Sequence, residues 1–186
     1  MRKSIIALTA ALLMTLSANA QFQQGKGYVG ASLSGLDIHY SGAGKLNLGV
    51  QAEAGYLFFD NLMGVGGVGF DHFRRDNNTK VDRFSATVGG RYYIIQNGLY
   101  LGVNGTVMYE KQQVKEVDPL TGNSSWKKAG KTYTDVLPGI EVGYAFFVNR
   151  SVTIEPAIYY DQSFKKHSDY STIGLRVGVG VYLFDD

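Results

Sequence analysis

The chain has no cysteine, only three prolines and a single tryptophan in 186 residues. Without cysteine there is neither a disulfide framework nor a thiolate metal site. Scarce proline leaves long stretches in which every residue keeps its backbone N–H, as a strand ladder requires. After residue 20 no apolar run approaches the roughly 20 residues that a membrane-crossing helix needs. If this chain sits in a membrane it must do so as a closed barrel, because lipid offers no partner to an open strand edge. Charge of one sign is also missing. The formal net charge is +2, and loss of Arg2 and Lys3 with the first twenty residues leaves 16 basic against 16 acidic side chains. That removes the basic field on which nucleic-acid binding depends. No histidine and carboxylate cluster stands at ligand spacing and no phosphate-cradling glycine loop precedes a helix, so no metal and no cofactor is expected.

What is abundant is glycine, with 24 residues, and aromatic side chains, with 13 tyrosines and 10 phenylalanines. The first twenty residues stand apart from this composition. Met1-Arg2-Lys3 is followed by an apolar stretch from Ile5 to Leu16 and then by Ser17-Ala18-Asn19-Ala20. A basic start, a short apolar core and small residues in an A-x-A pattern before Gln21 make residues 1–20 a secretory signal peptide and 21–186 one mature domain. Export leads to an oxidising compartment, so a cysteine-free protein there must take its stability from architecture.

Period-two alternation dominates the mature chain. Ile173, Leu175, Val177, Val179, Val181 and Leu183 alternate with Thr172, Gly174, Arg176, Gly178, Gly180 and Tyr182. Leu46 to Phe58, Phe84 to Ile94, Leu99 to Tyr109, Val136 to Phe146 and Ile154 to Ile158 repeat the pattern with one apolar and one small or polar face. Two more strands, about 27 to 39 and 62 to 75, have parity blurred by glycine, and a bulge is expected near Gly66 and Gly67. The total is eight antiparallel strands in an up-and-down meander. Aromatic pairs stand before short turns: Phe58-Phe59, Tyr92-Tyr93, Phe146-Phe147, and Tyr182 with Phe184. Such rings form girdles at a membrane interface, and their position at the ends of strands two, four, six and eight puts them at one rim, the periplasmic one. The long segment from Lys111 to Lys131 then becomes an outward connection. A soluble barrel would alternate as well, but it needs a charged outer face, and the polar set here is too lean in charge and too rich in glycine.

An eight-stranded barrel is just wide enough for its side chains to fill it. Glu53, Arg91, Glu141, Glu155 and Arg176 fall on polar faces near mid-strand and should converge in the lumen, where charges must pair. The expected outcome is a salt-bridge network that plugs the barrel; a narrow porin-like path for ions or small solutes is the alternative.

The signal peptide, the eight alternating strands, the aromatic-flanked turns and a last strand running Arg176-Val177-Gly178-Val179-Gly180-Val181-Tyr182-Leu183-Phe184 resemble the OmpA/OmpX-like family of small outer-membrane barrels. The resemblance spans the whole mature chain, which continues past Phe184 with Asp185 and Asp186. It implies a location in the outer membrane, a monomer with both termini in the periplasm, lipid and lipopolysaccharide as surroundings, and the barrel-insertion machinery as a partner during biogenesis. Arg176, Gly178, Val181 and Leu183 match the spacing of the insertion signal carried by the last strand of such families. The implied role is structural or one of surface interaction, with any extracellular ligand unidentified.

One local pattern suggests chemistry instead. His39-Tyr40-Ser41-Gly42-Ala43-Gly44, with Glu53 further on, is similar to the His-x-Ser-Asn-Ala-Gly motif and downstream Glu of outer-membrane lipid A deacylases. His39, Ser41 and Glu53 would supply base, nucleophile and orienting carboxylate. Gly42 stands where the motif has Asn, and Glu53 falls on the lumen face below the hairpin that holds His39, so the chain is not expected to be an enzyme. A second pair, His167-Ser168, belongs to a solvated loop. Trp126, among lysines in the long outward segment, is a candidate contact for a surface partner and equally an anchor at the membrane interface.

Overall fold

The computed structural model describes residues 22–39, 48–76, 79–94, 98–117, 124–165 and 171–183. The strands are β1 (Gly27–His39), β2 (Leu48–Phe59), β3 (Leu62–Asp76), β4 (Thr79–Tyr93), β5 (Leu99–Val117), β6 (Ser124–Tyr144), β7 (Phe146–Phe147), β8 (Val152–Asp161) and β9 (Thr172–Leu183). All pairings are antiparallel, and each of β1 to β5 lies beside its neighbours in sequence. The first and last strands pair from Gly27↔Leu183 to His39↔Thr172. The remaining gap is closed by β8, which pairs with β9 on one side and with β6 and β7 on the other. Nine strands thus make eight sides. The sixth is interrupted at Ala145, whose N–H leaves the ladder and donates to the Gly98 carbonyl in the neighbouring turn.

Short turns join β2 to β3, β4 to β5 and β7 to β8 at the rim where β1 begins and β9 ends. Asn61 takes the left-handed conformation there, with φ 65°, a position asparagine tolerates better than most residues. Its N–H donates to the Phe22 carbonyl and its own carbonyl accepts from Tyr93 N–H, tying the entering segment to two turns.

The outer wall is apolar and the lumen polar. Val68, Val88 and Val103 are all more than 60% exposed. Arg91, Glu141 and Glu155 are buried. A water-soluble barrel has the opposite arrangement, so this wall is suited to lipid. Tyr56, Phe58, Phe59, Tyr92 and Phe146 face outward near the short-turn rim, and Phe70, Phe84 and Tyr109 form a second aromatic row higher up. From Tyr92 to Phe84 the strand climbs eight residues, about 20 Å at the usual tilt and rise, near the height of a membrane apolar band. Above that row the wall turns polar. His72 Nδ1 lies 2.6 Å from Asp82 Oδ1, and Lys111 Nζ stands 5.3 Å from the Tyr109 ring centre.

Three expectations need correction. The bulge at Gly66 and Gly67 is absent, because Ala54↔Gly66 and Glu53↔Gly67 continue the register without a break. The irregularities fall instead between Ser34 and Leu36, Leu57 and Phe59, Arg74 and Asp76, and Lys111 and Gln113. The segment from Lys111 to Lys131 is mostly strand, with β5 and β6 pairing on to Val117↔Ser124. Its lysines, serines and glycine suggested a loop, yet polar strands are stable where both faces meet water and the ladder below fixes the register. The aromatic residues near the turns, finally, do not all belong to the girdle: Phe58, Phe59 and Tyr92 face outward, whereas Tyr93 and Tyr182 are buried inside.

The outward belt makes a graded prediction. Val103→Arg, at mid-belt on β5, should destabilise the folded barrel by about 2–4 kcal/mol, whereas Gln113→Arg, on the same face above the aromatic row and beside Asp82, should cost no more than about 1 kcal/mol. Denaturant titration of the barrel refolded in lipid vesicles would show equal penalties if the wall faced water.

Candidate functional site in the barrel lumen

Four of the five lumen charges stand beside a glycine on an adjoining strand, whereas Arg176 stands between Ser34 and Ala157. Arg91 and Glu141 both stand beside Gly102, Glu53 beside Gly30 and Gly67, and Glu155 beside Gly178. Inward side chains of a narrow barrel compete for the same volume, and glycine opposite a long side chain resolves the competition. A Cβ placed on Gly102 would overlap the Glu141 side chain.

These side chains meet in one cluster. Arg91 donates from Nη2 to Glu53 Oε2 at 2.6 Å, from Nε to Glu141 Oε1 at 2.8 Å and from Nη1 to Glu155 Oε2 at 3.4 Å. Arg176 pairs through Nη1 with Glu53 Oε1 at 3.5 Å and through Nη2 with Glu141 Oε2, and also donates to Gln51 Oε1 at 2.9 Å. Tyr28 OH and Thr153 Oγ1 donate to the two oxygens of Glu155 at 2.9 and 2.6 Å. The Arg91 guanidinium also lies 5.0 Å from the Tyr100 ring centre, in cation–π range. The structure therefore brings Glu53, Arg91, Glu141, Glu155 and Arg176 together, and the space left among them and Ser32 is about 10 Å³, no more than one water.

Below the cluster, toward the short-turn rim, lies an aromatic plug. Phe22 has no exposure and stacks on Tyr93 with ring centres 3.8 Å apart; Tyr93 OH and Tyr182 OH are 2.7 Å from one another. Leu57, Met63, Tyr28 and Tyr100 complete the buried layer. The sequence names Tyr93 and Tyr182 only as girdle residues and marks none of these side chains as a plug. Their inward parity was visible for Tyr100 and Tyr182, but aromatic residues at strand ends were assigned to the girdle. Phe22 precedes the first strand and carries no periodic signal at all.

Above the cluster the lumen widens into a chamber of about 90 Å³ lined by Gln51, Asp71, Asn104, Asp161 and Arg176 among others. Thr87 Oγ1 and Thr106 Oγ1 are 2.8 Å apart across its wall. Higher still, Arg83 pairs with Glu110 at 3.3 Å, and Asp135 accepts from Ser163 Oγ at 2.6 Å and Tyr133 OH at 3.0 Å.

The remaining candidates are dispersed. Glu53 is paired beside Gly30, while His39 lies nine residues further along β1, about 30 Å of strand away. Ser41 and His167-Ser168 lie outside the described residues, as do residues 1–20 and Phe184. His39 and Glu53 are thus not brought together, and Glu53 is committed to two guanidiniums. Of the insertion-signal residues, Arg176 and Gly178 face the lumen and Val181 and Leu183 face outward. Trp126 sits on β6 opposite Lys115, with Lys80 Nζ 4.2 Å from its ring centre, and so belongs to a strand rather than a loop. Among the described residues no three His, Cys, Asp or Glu side chains group as metal ligands.

Two substitutions separate the parts of the lumen. Arg91→Met should cost about 3–5 kcal/mol, because three carboxylates would keep only the Arg176 guanidinium, and adding Glu141→Gln and Glu155→Gln should restore part of the loss. Phe22→Ala should cost about 3–5 kcal/mol by leaving a cavity beneath Tyr93. Equilibrium unfolding of the refolded variants measures both; an unchanged stability for Phe22→Ala would mean that the plug does not pack in solution.

No protein-family model matches the chain, and no curated protein matches it by sequence. Solved structures do. The chain is similar to Neisserial surface protein A, with 15% identity over 85% of this chain and 97% of that one and a TM-score of 0.58. It is also similar to Ail, the attachment invasion locus protein of Yersinia pestis, with 12% identity, 86% and 99% coverage and a TM-score of 0.58. The outer membrane protein OprG of Pseudomonas aeruginosa follows with 11% identity, 89% and 99% coverage and a TM-score of 0.50. At these identities the likeness is one of fold: the chain has the architecture of a small outer-membrane β-barrel.

Proposed function

We propose that the protein is an integral component of the bacterial outer membrane with a structural or surface-interaction role, its barrel closed to solutes by its own side chains. The filled lumen carries the reading. Phe22, Tyr93 and Tyr182 occupy the end at the short-turn rim, and the Arg91 cluster behind them leaves room for about one water. That rim, where β1 begins and β9 ends, is read as periplasmic, and the opposite one as external.

Contact with the surroundings would then belong to the raised strands. β6 pairs with β5 along its length from Ser124, but with β8 only between Gly139 and Gly143, so about fifteen residues of β6 stand above the β8 and β9 side of the ring. Trp126, Lys80 and Lys115 lie on this wall. A surface role is in keeping with the names of two proteins of the same fold, a surface protein and an attachment invasion locus protein. Lipid and lipopolysaccharide around the apolar belt, the insertion machinery acting on β9, and a monomeric state complete the proposal. The separation of His39 from Glu53 supports a non-enzymatic role.

Ionic conductance of the refolded protein in a planar bilayer tests the closed lumen. Wild type should be silent while correctly folded. Reproducible single-channel steps, altered in Arg91→Ala or Glu141→Ala, would replace this reading with that of a narrow pore.

A further inference from the structure

Outward from the second aromatic row, the outer face of β3 to β6 changes character one register row at a time. Phe70, Phe84, Tyr109 and Thr134 stand side by side in the first row. The next is His72, Asp82, Lys111 and Thr132, and the one after it Arg74, Lys80, Gln113 and Lys128. Lys115 and Trp126 pair in the row beyond. Lys111, Arg74, Lys80, Lys128 and Lys115 thus occupy these positions against the single carboxylate of Asp82. That carboxylate is already engaged, 2.6 Å from His72 Nδ1 and accepting from Gln113 Nε2 at 3.4 Å.

The ammonium groups on this face rest on rings. Lys80 reaches across β5 to bring Nζ within 4.2 Å of the Trp126 ring centre, and Lys111 Nζ stands 5.3 Å from that of Tyr109. A ring face orients an ammonium without neutralising it, so the charge and its N–H donors stay available to an anion. Among the described residues no carboxylate pairs with Lys80, Lys111 or Lys115. The rows are also tall. Tyr109 to Lys115 is about 15 Å of height at the usual rise and tilt, whereas a phospholipid headgroup layer is only about 5–8 Å thick. The cationic face therefore starts at the edge of the apolar belt and continues beyond the reach of a phospholipid headgroup.

We propose that this face of β3 to β6 binds the phosphorylated saccharide headgroup of outer-leaflet lipopolysaccharide, with Lys80, Lys111 and Lys115 on its phosphates and Trp126 against a sugar. The inference rests on the outer-membrane reading above, with the raised strands external, and names a partner for them. Three observations select this occupant. The face is cationic where the headgroup is anionic, and lysines near such a surface are attracted to it. An amphipathic indole among ammonium groups suits a ligand that is part sugar and part phosphate. Directly beneath lies the exposed apolar wall of Phe84, Val88, Val103 and Val107, along which the acyl chains of the same molecule would run. A soluble polyanion could meet the lysines but has nothing to lay on that wall.

Trp126 is the only tryptophan, so its emission reports on this face without a label. The protein refolded in zwitterionic detergent is titrated with lipopolysaccharide, with dephosphorylated lipopolysaccharide, phosphatidylcholine and heparin as parallel arms. The expected result is a saturable response to lipopolysaccharide. Dephosphorylation, or Lys80→Gln, Lys111→Gln and Lys115→Gln combined, should weaken it at least about tenfold, because the lysine–phosphate attractions are lost together. Arg150→Gln, in the turn between β7 and β8 at the opposite rim, should leave it unchanged. Equal responses to phosphatidylcholine or to the dephosphorylated form overturn the site and leave Trp126 an interface anchor. Unchanged affinity in the triple variant overturns it too, and tighter binding of heparin overturns the lipid as occupant. If the triple variant folds poorly, the dephosphorylated arm decides with wild type alone. Heat-modifiable mobility after refolding into vesicles separates the two levels of inference. A barrel that enters lipid and ignores lipopolysaccharide overturns the headgroup site alone, whereas a chain that does not enter lipid overturns the outer-membrane reading with it.

Discussion

A guanidinium withdrawn from water has to find carboxylates, and in this barrel the Arg91 side chain finds three. It reaches β2, β6 and β8 from β4, so one side chain links four walls of the ring across its axis. Such a link is worth little as a source of stability, since desolvation of five ions consumes most of the Coulomb attraction. Its consequence is positional. Glu53, Glu141 and Glu155 are fixed by their common partner, and Arg176 settles against the oxygens of Glu53 and Glu141 that Arg91 leaves over. A barrel with its edges closed still has freedom in how its lumen fills, and the branched guanidinium removes it.

Glycine is the counterpart of that arrangement. In a soluble strand a glycine is a loss of packing; on the lumen face of a narrow ring it is the volume into which a neighbour's long side chain folds. Gly102 accommodates Glu141, and Gly143 accommodates Tyr100, where an added Cβ would collide with the ring. Many glycines therefore signal a crowded interior here, and the same residues on the outer face would only thin the apolar wall.

This explains which parts of the fold were legible in the sequence. Period-two alternation survives in any barrel wall, so the antiparallel meander, the inside and outside faces and the five lumen charges followed from parity alone, while the break at Ala145 that makes nine strands of eight did not. Parity carries no depth, however. It puts Tyr93 and Tyr182 on the inner face and Tyr92 on the outer one, but it could not tell that the inner rings meet in a plug at the rim. Nor could composition decide where a strand stops once it leaves the membrane: the stretch from Lys111 to Lys131 looks like a loop, yet β5 runs on to Val117 and β6 begins at Ser124 because the ladder beneath sets their register. Phe22 was invisible for a different reason, since its place depends on the Asn61 and Leu57 backbone groups that the entering segment meets.

The two ends of the lumen follow opposite physical rules, and the cluster is the boundary between them. Toward the short-turn rim the fill is aromatic, closed by stacking and by one hydroxyl pair, Tyr93 with Tyr182. Away from it the fill is carboxylates, hydroxyls and an amide around open space. An apolar plug needs no water and excludes it; a polar chamber open to one side needs water or ions to satisfy it. Arg91 can serve both because its guanidinium nitrogens donate to carboxylates while its central carbon stands 5.0 Å from the ring centre of Tyr100. A lysine in its place would offer a point charge without the fork or the plane, and would leave either the carboxylates or the aromatic layer without a matching surface.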